Sequence, residues 1–156
     1  MRKTEASSPV LITDVGFGIS QILPVITLCY YVPEGSTILL EQPEIHLHPS
    51  VQAGLADVLI DAIKVRKVQI IVESHSEHLL RRIQRRIAES EGLSDEDVAL
   101  YFCRFDRDHS VLDPLDLDPY GNIRNWPKDF FGNEFEEMAE ATMAAMRRKM
   151  SSERKS

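Results

Sequence analysis

Residues 38–49 read Ile-Leu-Leu-Glu-Gln-Pro-Glu-Ile-His-Leu-His-Pro. Three apolar residues lead straight into a carboxylate, Glu41, and an apolar run of this kind is typical of a strand buried in a sheet. A carboxylate at the carboxyl end of such a strand lies where open α/β sheets hold their ligands. The segment therefore predicts a buried strand with a ligand site at its end.

The sequence on either side supplies the other elements of an α/β fold. The predicted strands span residues 10–12, 37–41, 68–73, 99–105 and 110–117, the last two as edge strands that form a hairpin over 106–109. The predicted helices span residues 21–31, 50–65, 76–89 and 134–150, with Ser20 capping the first. This alternation of strands and helices predicts a parallel core with right-handed crossovers.

Composition and charge narrow the class of protein. The chain has 156 residues and a net charge of −7, so it is one domain or part of one and not a general polyanion binder. Its two cysteines, Cys29 and Cys103, are expected to be buried and reduced. There is no signal peptide, and the longest apolar run, residues 22–32, is too short to span a bilayer. We therefore expect a soluble cytoplasmic protein with no membrane partner.

The polar residues after the predicted strand indicate magnesium and water chemistry. In an NTPase, an acid at the end of a buried strand holds Mg²⁺, which assigns Glu41 to the metal. Hydrolysis also needs a group that orients or deprotonates the attacking water. Gln42 can orient water but cannot take its proton, and Glu44 is the alternative. A site that hydrolyses slowly or not at all stays open beside these two assignments.

Two further motifs indicate phosphate contacts. His75 directly follows the second apolar strand, in Glu-Ser-His-Ser, and from there it can reach a γ-phosphate. Residues 16–21 read Gly-Phe-Gly-Ile-Ser-Gln, and they open a predicted helix whose bare N–H groups and positive end make an anion site. A lone histidine at a helix start and a glycine-rich helix start are also common as purely structural features.

In chain order, these three motifs resemble the signature motif, the Walker B strand with its D-loop, and the switch histidine of ABC/SMC-like AAA-family ATPases. That group includes SMC-like repair ATPases and the ATPase part of overcoming-lysogenization-defect nucleases. The Trp-Pro-x-x-Phe-Phe segment at residues 126–131 is similar to the C-terminal module of an uncharacterised bacterial subfamily, in which an acid-Gln-Pro-Glu Walker B also occurs.

The resemblance implies an α/β fold that is a partial P-loop NTPase of the ABC type. Its parallel sheet is flanked by helices and followed by a small C-terminal β-hairpin and helix extension. The implied division is a disordered N-terminus at 1–9, the C-terminal half of an ATPase domain at 10–98, the extension at 99–150 and a disordered tail at 151–156. The sequence has no Gly-x-x-x-x-Gly-Lys-Ser/Thr, the Walker A loop that cradles phosphates. The chain is therefore expected to be a truncated reading frame or one half of a split ATPase.

The resemblance also implies ligands, partners and residue roles. ATP and Mg²⁺ are the implied cofactors, and ATP holds two heads together in a homodimer or heterodimer until hydrolysis releases them. The Walker A loop would come from an N-terminal half or a partner ATPase subunit, so the chain would be inactive alone. Glu41 would serve Mg²⁺, Gln42 or Glu44 the water, and His75 the γ-phosphate. The residues that would contact ATP held by the partner are Gly16, Gly18, Ser20 and Gln21.

Three alternative interpretations stay open. The fold could be an interaction module that binds a partner and no nucleotide. A metal-dependent hydrolase could use a cluster of Glu41 and Glu44 with the histidines His46, His48, His75 and His78. The third alternative concerns a helix that is rich in arginine, with Arg81, Arg82, Arg85 and Arg86. It could contact nucleic acid or another subunit. It could equally present these arginines to solvent, with Glu77 paired to Arg81.

Overall fold

The computed structural model describes residues 17–90, 92–127, 130 and 143. The chain divides into two compact units. The first, called the core unit, holds the chain up to Ala99 together with Leu117–Ile123. The second, called the hairpin unit, holds Leu100–Asp116 and the chain from Arg124 onward.

The core unit is built on two parallel strands and three helices. Its elements are α1 (Phe17–Tyr31), β1 (Thr37–Glu41), α2 (Pro49–Arg66), β2 (Gln69–Glu73) and α3 (Glu77–Ala88), followed by a short 3₁₀ helix (Asp95–Asp97). β1 and β2 run parallel, in a register that pairs Thr37 with Gln69 at one end and Glu41 with Glu73 at the other. The parallel α/β core predicted from the sequence is confirmed.

The two faces of this small sheet differ in burial. Ile38 and Leu40 of β1 point into the main apolar core, together with Leu55 and Leu59 of α2. On the opposite face, Leu39 is 67% exposed and Ile71 is 51% exposed. Parallel sheets are normally covered on both faces, so this open face is unusual for its strand type.

Helices α2 and α3 begin at side-chain caps. The Nδ1 of His48 accepts a hydrogen bond from the main-chain N–H of Ser50 at 3.3 Å, and Pro49 occupies the first helical position. Ser76 caps α3, because its Oγ accepts the N–H of Leu79 at 3.0 Å. Both helices therefore begin within one residue of their predicted starts.

Helix α1 begins earlier than predicted, at Phe17 rather than near Gln21, so Ser20 lies inside the helix and does not cap it. Pro24 is consequently in the helix interior rather than in the first turn. The physical reason is that glycine lowers helix stability without forbidding a helix, so Gly18 is accommodated where the chain packs closely. Proline has no main-chain N–H, so Pro24 cannot donate the usual helical hydrogen bond to the residue four positions before it.

An ion pair and a close backbone approach bind α3 to its neighbours in the core unit. Asp57 of α2 accepts hydrogen bonds from Arg82 at 2.7 Å and from Arg86 at 2.8 Å. The Nε2 of Gln84 donates to the carbonyl of Gly121 at 2.7 Å. Gly121 has φ +78°, and a Cβ there would lie 2.2 Å from the carbonyl oxygen of Gln84. Glycine is required at this position by both its backbone angle and its surroundings.

The hairpin unit contains β3 (Leu100–Asp106) and β4 (His109–Leu115), which pair antiparallel. The predicted hairpin over 106–109 is confirmed, and Arg107 in its turn has φ 56°.

The two cysteines differ in exposure. Cys29 is buried in α1 and burial raises the pKa of its thiol, whereas Cys103 on β3 is exposed. The prediction of two buried thiols is therefore wrong for Cys103, because every second residue of a two-stranded ribbon faces away from any core.

Several predictions fall on residues outside the described ranges. These are the strand at 10–12, the disordered ends at 1–9 and 151–156, and, apart from Met143, the helix at 134–150. The division into an ATPase half at 10–98 and an extension at 99–150 stays a prediction. Over the residues described above, no helix has the length and apolar character needed to cross a bilayer.

Candidate functional site

The carboxyl ends of β1 and β2 place two carboxylates side by side. Glu41 and Glu73 are register partners, and both are exposed. Gln42, the next residue, joins the two strand ends: its N–H donates to the carbonyl of Glu73 at 2.8 Å. Its side chain also reaches that residue, with Nε2 3.4 Å from Oε1 of Glu73. Oxygen ligands of this kind are those that Mg²⁺ takes, so the exposed carboxylate of Glu41 suits the metal assigned to it.

The loop between β1 and α2, residues 42–48, has an unusual backbone. Gln42 has φ 43° and His46 has φ 63°. Non-glycine residues rarely adopt this left-handed conformation, which costs of order 1–3 kcal/mol and collects at functional sites. The loop therefore holds a fixed, strained shape between the strand and its following helix.

Glu44 connects this loop to the next one. Its side chain is only 5% exposed, and its Oε1 accepts the main-chain N–H of His75 at 2.8 Å. Its Oε2 is also buried and has no hydrogen-bond partner among the described residues. A buried carboxylate is costly unless it is hydrogen-bonded, so the bond to His75 fixes the two loops against each other.

A second bridge runs beside the first. Gln52 of α2 donates from Nε2 to the carbonyl of Leu47 at 2.9 Å. Its Oε1 accepts the hydroxyl of Ser76 at 2.6 Å, and that hydroxyl also caps α3. The nitrogen and the oxygen of the Gln52 amide thus each hold one loop, and Ser76, the residue after His75, is linked to the end of the 42–48 loop.

The start of α1 packs against the same loop. A Cβ on Gly18 would lie 3.4 Å from Cδ2 of Leu47 and 3.6 Å from the carbonyl oxygen of His46. Ser20 is exposed, whereas the Oε1 of Gln21 is buried without a hydrogen-bond partner in the described part of the chain. Gly16 lies outside the described residues. Of the four residues expected to contact nucleotide, three therefore lie in the first turns of α1.

The histidines do not gather as a metal cluster. His48 uses its Nδ1 to cap α2, while His46, His75 and His78 are exposed. Within residues 17–90 and 92–127, no three His, Cys, Asp or Glu side chains are grouped to hold a metal ion. The alternative of a transition-metal hydrolase gains no support from this arrangement.

The arginines of α3 are paired with acids of the core unit. Arg81 contacts Glu77 at 3.1 Å, as predicted for the solvated-face interpretation, and Arg85 contacts Glu89 at 2.6 Å. Arg82 and Arg86 both contact Asp57. The positive charge of this helix is thus largely compensated by neighbouring carboxylates.

Two residues of this site were missed by sequence reasoning. Glu73 ends an apolar strand in the same way as Glu41, and the parallel register that places them together could have been anticipated from that signal. Gln52 carries no such signal, because a glutamine in the first turns of a helix is ordinarily a surface residue. Only the fold reveals that its amide spans two loops.

Two protein-family models match the chain. Residues 3–80, half of the chain, match the family described as AAA ATPase domain. Residues 93–140 match a second family, described as Protein of unknown function (DUF3696). No curated protein and no solved structure matches the chain. The strand-end carboxylates and the joined loops lie within or next to the first matched segment, and by that match the chain belongs to the AAA ATPase domain family.

Proposed function

We propose that this chain supplies the metal-binding, water-handling and switch residues of an ABC/SMC-like ATPase. The phosphate-binding Walker A loop would come from an N-terminal half or a partner ATPase subunit. Two such heads, identical or different, would close on ATP and separate after hydrolysis. Membership of an AAA ATPase family points to nucleotide and Mg²⁺ as the ligands.

The observation that carries the proposal is the hydrogen bond between Glu44 and the N–H of His75, at 2.8 Å. It couples the loop after the magnesium strand to the loop that would contact the γ-phosphate. In phosphoryl transfer, catalysis is mostly positioning and charge stabilisation. A rigid link between these two loops is what such positioning requires.

Each residue then has a stated role. Glu41 would hold Mg²⁺, which supplies charge neutralisation when bound, and His75 would donate to the γ-phosphate oxygens as negative charge moves. Gln42 and Glu44 are the proposed groups for the attacking water. The burial of Glu44 and its bond to His75 favour a positioning role for that carboxylate.

The nucleotide held by the opposite head would meet the start of α1. Gly16, Gly18, Ser20 and Gln21 are the proposed contacts. The close approach of Gly18 to the 42–48 loop supports this assignment, because it places the helix start beside the loop that follows the magnesium residue. The buried, unpartnered Oε1 of Gln21 is a further polar group there.

The test is ATP hydrolysis by the complete ATPase, which is this chain together with the segment that carries the Walker A loop. We expect Mg²⁺-dependent turnover that Glu41→Gln lowers by at least about tenfold, because a metal ligand is lost. Glu96→Gln, an exposed acid on the short 3₁₀ helix, is the matched control and should leave turnover unchanged. No turnover in the wild-type assembly would refute the proposal.

A second candidate function is that of an interaction module without catalysis. The observation that favours it is the open sheet face, where Leu39 and Ile71 are exposed. The same assembly separates the two candidates. A complex that forms but shows no hydrolysis above the Glu41→Gln background, and binds Mg-ATP no more tightly than the Walker A-bearing segment alone, would support the interaction module.

A further inference from the structure

The geometry points to Glu73 as the carboxylate that accepts a proton from the attacking water. Gln42 is the residue that positions this carboxylate. This inference rests on the proposed function and adds a catalytic residue to it. It places the base on β2, the strand next to the one that carries the proposed magnesium ligand.

The position of Glu73 is fixed by its backbone. Glu73 is the register partner of Glu41 at the carboxyl ends of the two parallel strands. Its carbonyl accepts the N–H of Gln42 at 2.8 Å, so the residue after the magnesium ligand is bound directly to the strand that carries Glu73. A base on β2 therefore lies beside the metal site and two residues before His75.

Gln42 holds the carboxylate itself. Its Nε2 lies 3.4 Å from Oε1 of Glu73, a long hydrogen bond in which the amide donates. An amide cannot accept a proton at neutral pH, but it can orient a carboxylate that does. The left-handed backbone of Gln42, with φ 43°, is the kind of local strain that accompanies such positioning.

Glu44 is less suited to the same task. It is 5% exposed and already accepts the N–H of His75, which uses one of its two oxygens. Glu73 is exposed, and among the described residues the hydrogen bond to its carboxylate comes from Gln42 and uses Oε1, which leaves Oε2 for water. A general base must come within hydrogen-bond reach of the water it deprotonates, and Glu73 meets this condition more readily.

The chemical step balances with no further reactant. The oxygen of water forms a bond to the γ-phosphorus of ATP while the bond from that phosphorus to the bridging oxygen breaks. The electron pair of the broken bond leaves with ADP. One proton of the water passes to the carboxylate of Glu73, and the protonated carboxyl releases it to solvent before the next cycle.

The main experiment uses the complete ATPase and the variant Glu73→Gln. We expect kcat to fall by about 10²–10³-fold, since a positioned base is worth roughly that factor. The affinity for Mg-ATP, measured by titration calorimetry, should change by less than about threefold, because an uncharged isostere keeps the local shape. Glu96→Gln serves again as the control for loss of an exposed acid.

An exchange of the two side chains sharpens the test. In the double variant Gln42→Glu/Glu73→Gln, the carboxylate moves to the residue that follows β1 and the amide to the end of β2, with the pair conserved. We expect at least about tenfold of the lost turnover to return, since a nearby carboxylate can again take the proton. A merely structural role for Glu73 would leave the double variant no faster than Glu73→Gln.

A measurement without nucleotide tests the pair in the chain itself. In nitrogen-15 NMR spectra at neutral pH, the side-chain amide signal of Gln42 should move between the wild type and Glu73→Gln, because the donor loses a charged acceptor. Glu96→Gln should leave that signal in place. A Gln42 amide that does not respond to Glu73 overturns the positioning role.

The outcomes separate this inference from the proposed function. Full turnover in Glu73→Gln, or a loss in Glu44→Gln alone, overturns Glu73 as the base and leaves the ATPase proposal intact. No hydrolysis by the wild-type assembly overturns the ATPase proposal and the base assignment with it. Loss of kcat in Glu73→Gln with rescue by the exchanged pair supports both.

Discussion

At the scale of single residues, the carboxylate of Glu44 joins two loops through one acceptor. It is 5% exposed, and the N–H of His75 is the hydrogen-bond donor found for its Oε1. Removing a buried partner leaves the other group unsatisfied, which costs more than the bond itself contributes. Whether the side chain at position 44 carries a hydrogen-bond acceptor should therefore determine how strongly the 42–48 loop is held to His75.

The first prediction concerns stability. Glu44→Ala should lower the free energy of unfolding by about 1–3 kcal/mol, because the main-chain N–H of His75 loses the acceptor of a partly buried hydrogen bond. Glu44→Gln keeps a side-chain carbonyl oxygen at the same place and should cost less. Urea unfolding followed by circular dichroism measures both. Equal losses in the two variants would mean that the acceptor contributes nothing.

The second prediction concerns His75 in the complete ATPase. His75→Ala should lower kcat more than it lowers Mg-ATP affinity, because its proposed contact with the γ-phosphate would strengthen as charge moves in the transition state. His78→Ala, which removes another exposed histidine two positions into α3, is the control and should change neither. Steady-state turnover and calorimetry give the two quantities. An equal effect on both would count against the role of His75.

The third prediction concerns Tyr30. Its hydroxyl donates to Oδ2 of Asp61 at 2.5 Å, and this bond raises the pKa of Tyr30 to about 12 from an ordinary value of 10.0. Folding favours the neutral phenol, so its stabilisation is complete below pH 10.0 and is lost as the pH rises through about 12. In an absorbance titration of tyrosinate, Tyr30→Phe should remove the component that titrates highest. Asp61→Asn should move that component to lower pH, and no movement would contradict the assignment.

At the scale of helices and strands, residues 37–115 follow the sequence closely. The parallel strands, the helices α2 and α3 and the hairpin were predictable because apolar runs, caps and turn residues agree with one another there. The start of α1 was not, because two glycines look like a break until the packing of Gly18 against Leu47 is known. Cys103 was misjudged for a related reason: a strand pattern does not say which of its two faces is covered.

In the candidate site, the sequence suggests the residues but not the contacts between them. Glu41, Gln42, Glu44 and His75 were identified from their positions after apolar strands. The contacts of Gln42 with Glu73 and of Gln52 with Ser76 could not be, because they join residues far apart in sequence through side-chain amides. Such bonds depend on register and loop shape, which the local pattern leaves undetermined.

The fourth prediction belongs to the turn held against α3. Gly121→Ala should destabilise the core unit more than Gly35→Ala, although both glycines have φ +78°. The backbone angle alone costs each alanine about 1–2 kcal/mol. At Gly121 the added Cβ also meets the carbonyl oxygen of Gln84 at 2.2 Å, which should add about 1–3 kcal/mol. A Cβ on Gly35 meets nothing within 4 Å, so equal losses by thermal unfolding would contradict this view of the turn.

At the scale of the whole molecule, the chain matches an ATPase family but its sequence does not contain the loop that binds phosphate in P-loop NTPases. Residues 3–80 match an AAA ATPase domain, yet the 156 residues contain no Gly-x-x-x-x-Gly-Lys-Ser/Thr. The main-chain N–H groups and lysine of that loop make most of the contacts to phosphate in P-loop NTPases. The proposed function therefore requires a phosphate-binding loop from a segment outside these 156 residues.

The fifth prediction follows from this separation. The 156-residue chain on its own should bind Mg-ATP weakly or not at all in titration calorimetry. Addition of the Walker A-bearing segment should bring the affinity into a measurable range. Micromolar affinity of the chain alone would contradict this prediction, because it would show that residues of this chain are sufficient to bind the phosphates of ATP.

The open face of the β1–β2 sheet matters for how the proposed assembly would persist in the cell. Exposed apolar β-surface is what chaperones and proteases recognise in incomplete assemblies, and it also promotes aggregation. If the proposed Walker A-bearing segment covers Leu39 and Ile71, a copy of the chain without that segment keeps both side chains exposed. We expect such copies to be degraded faster than assembled ones.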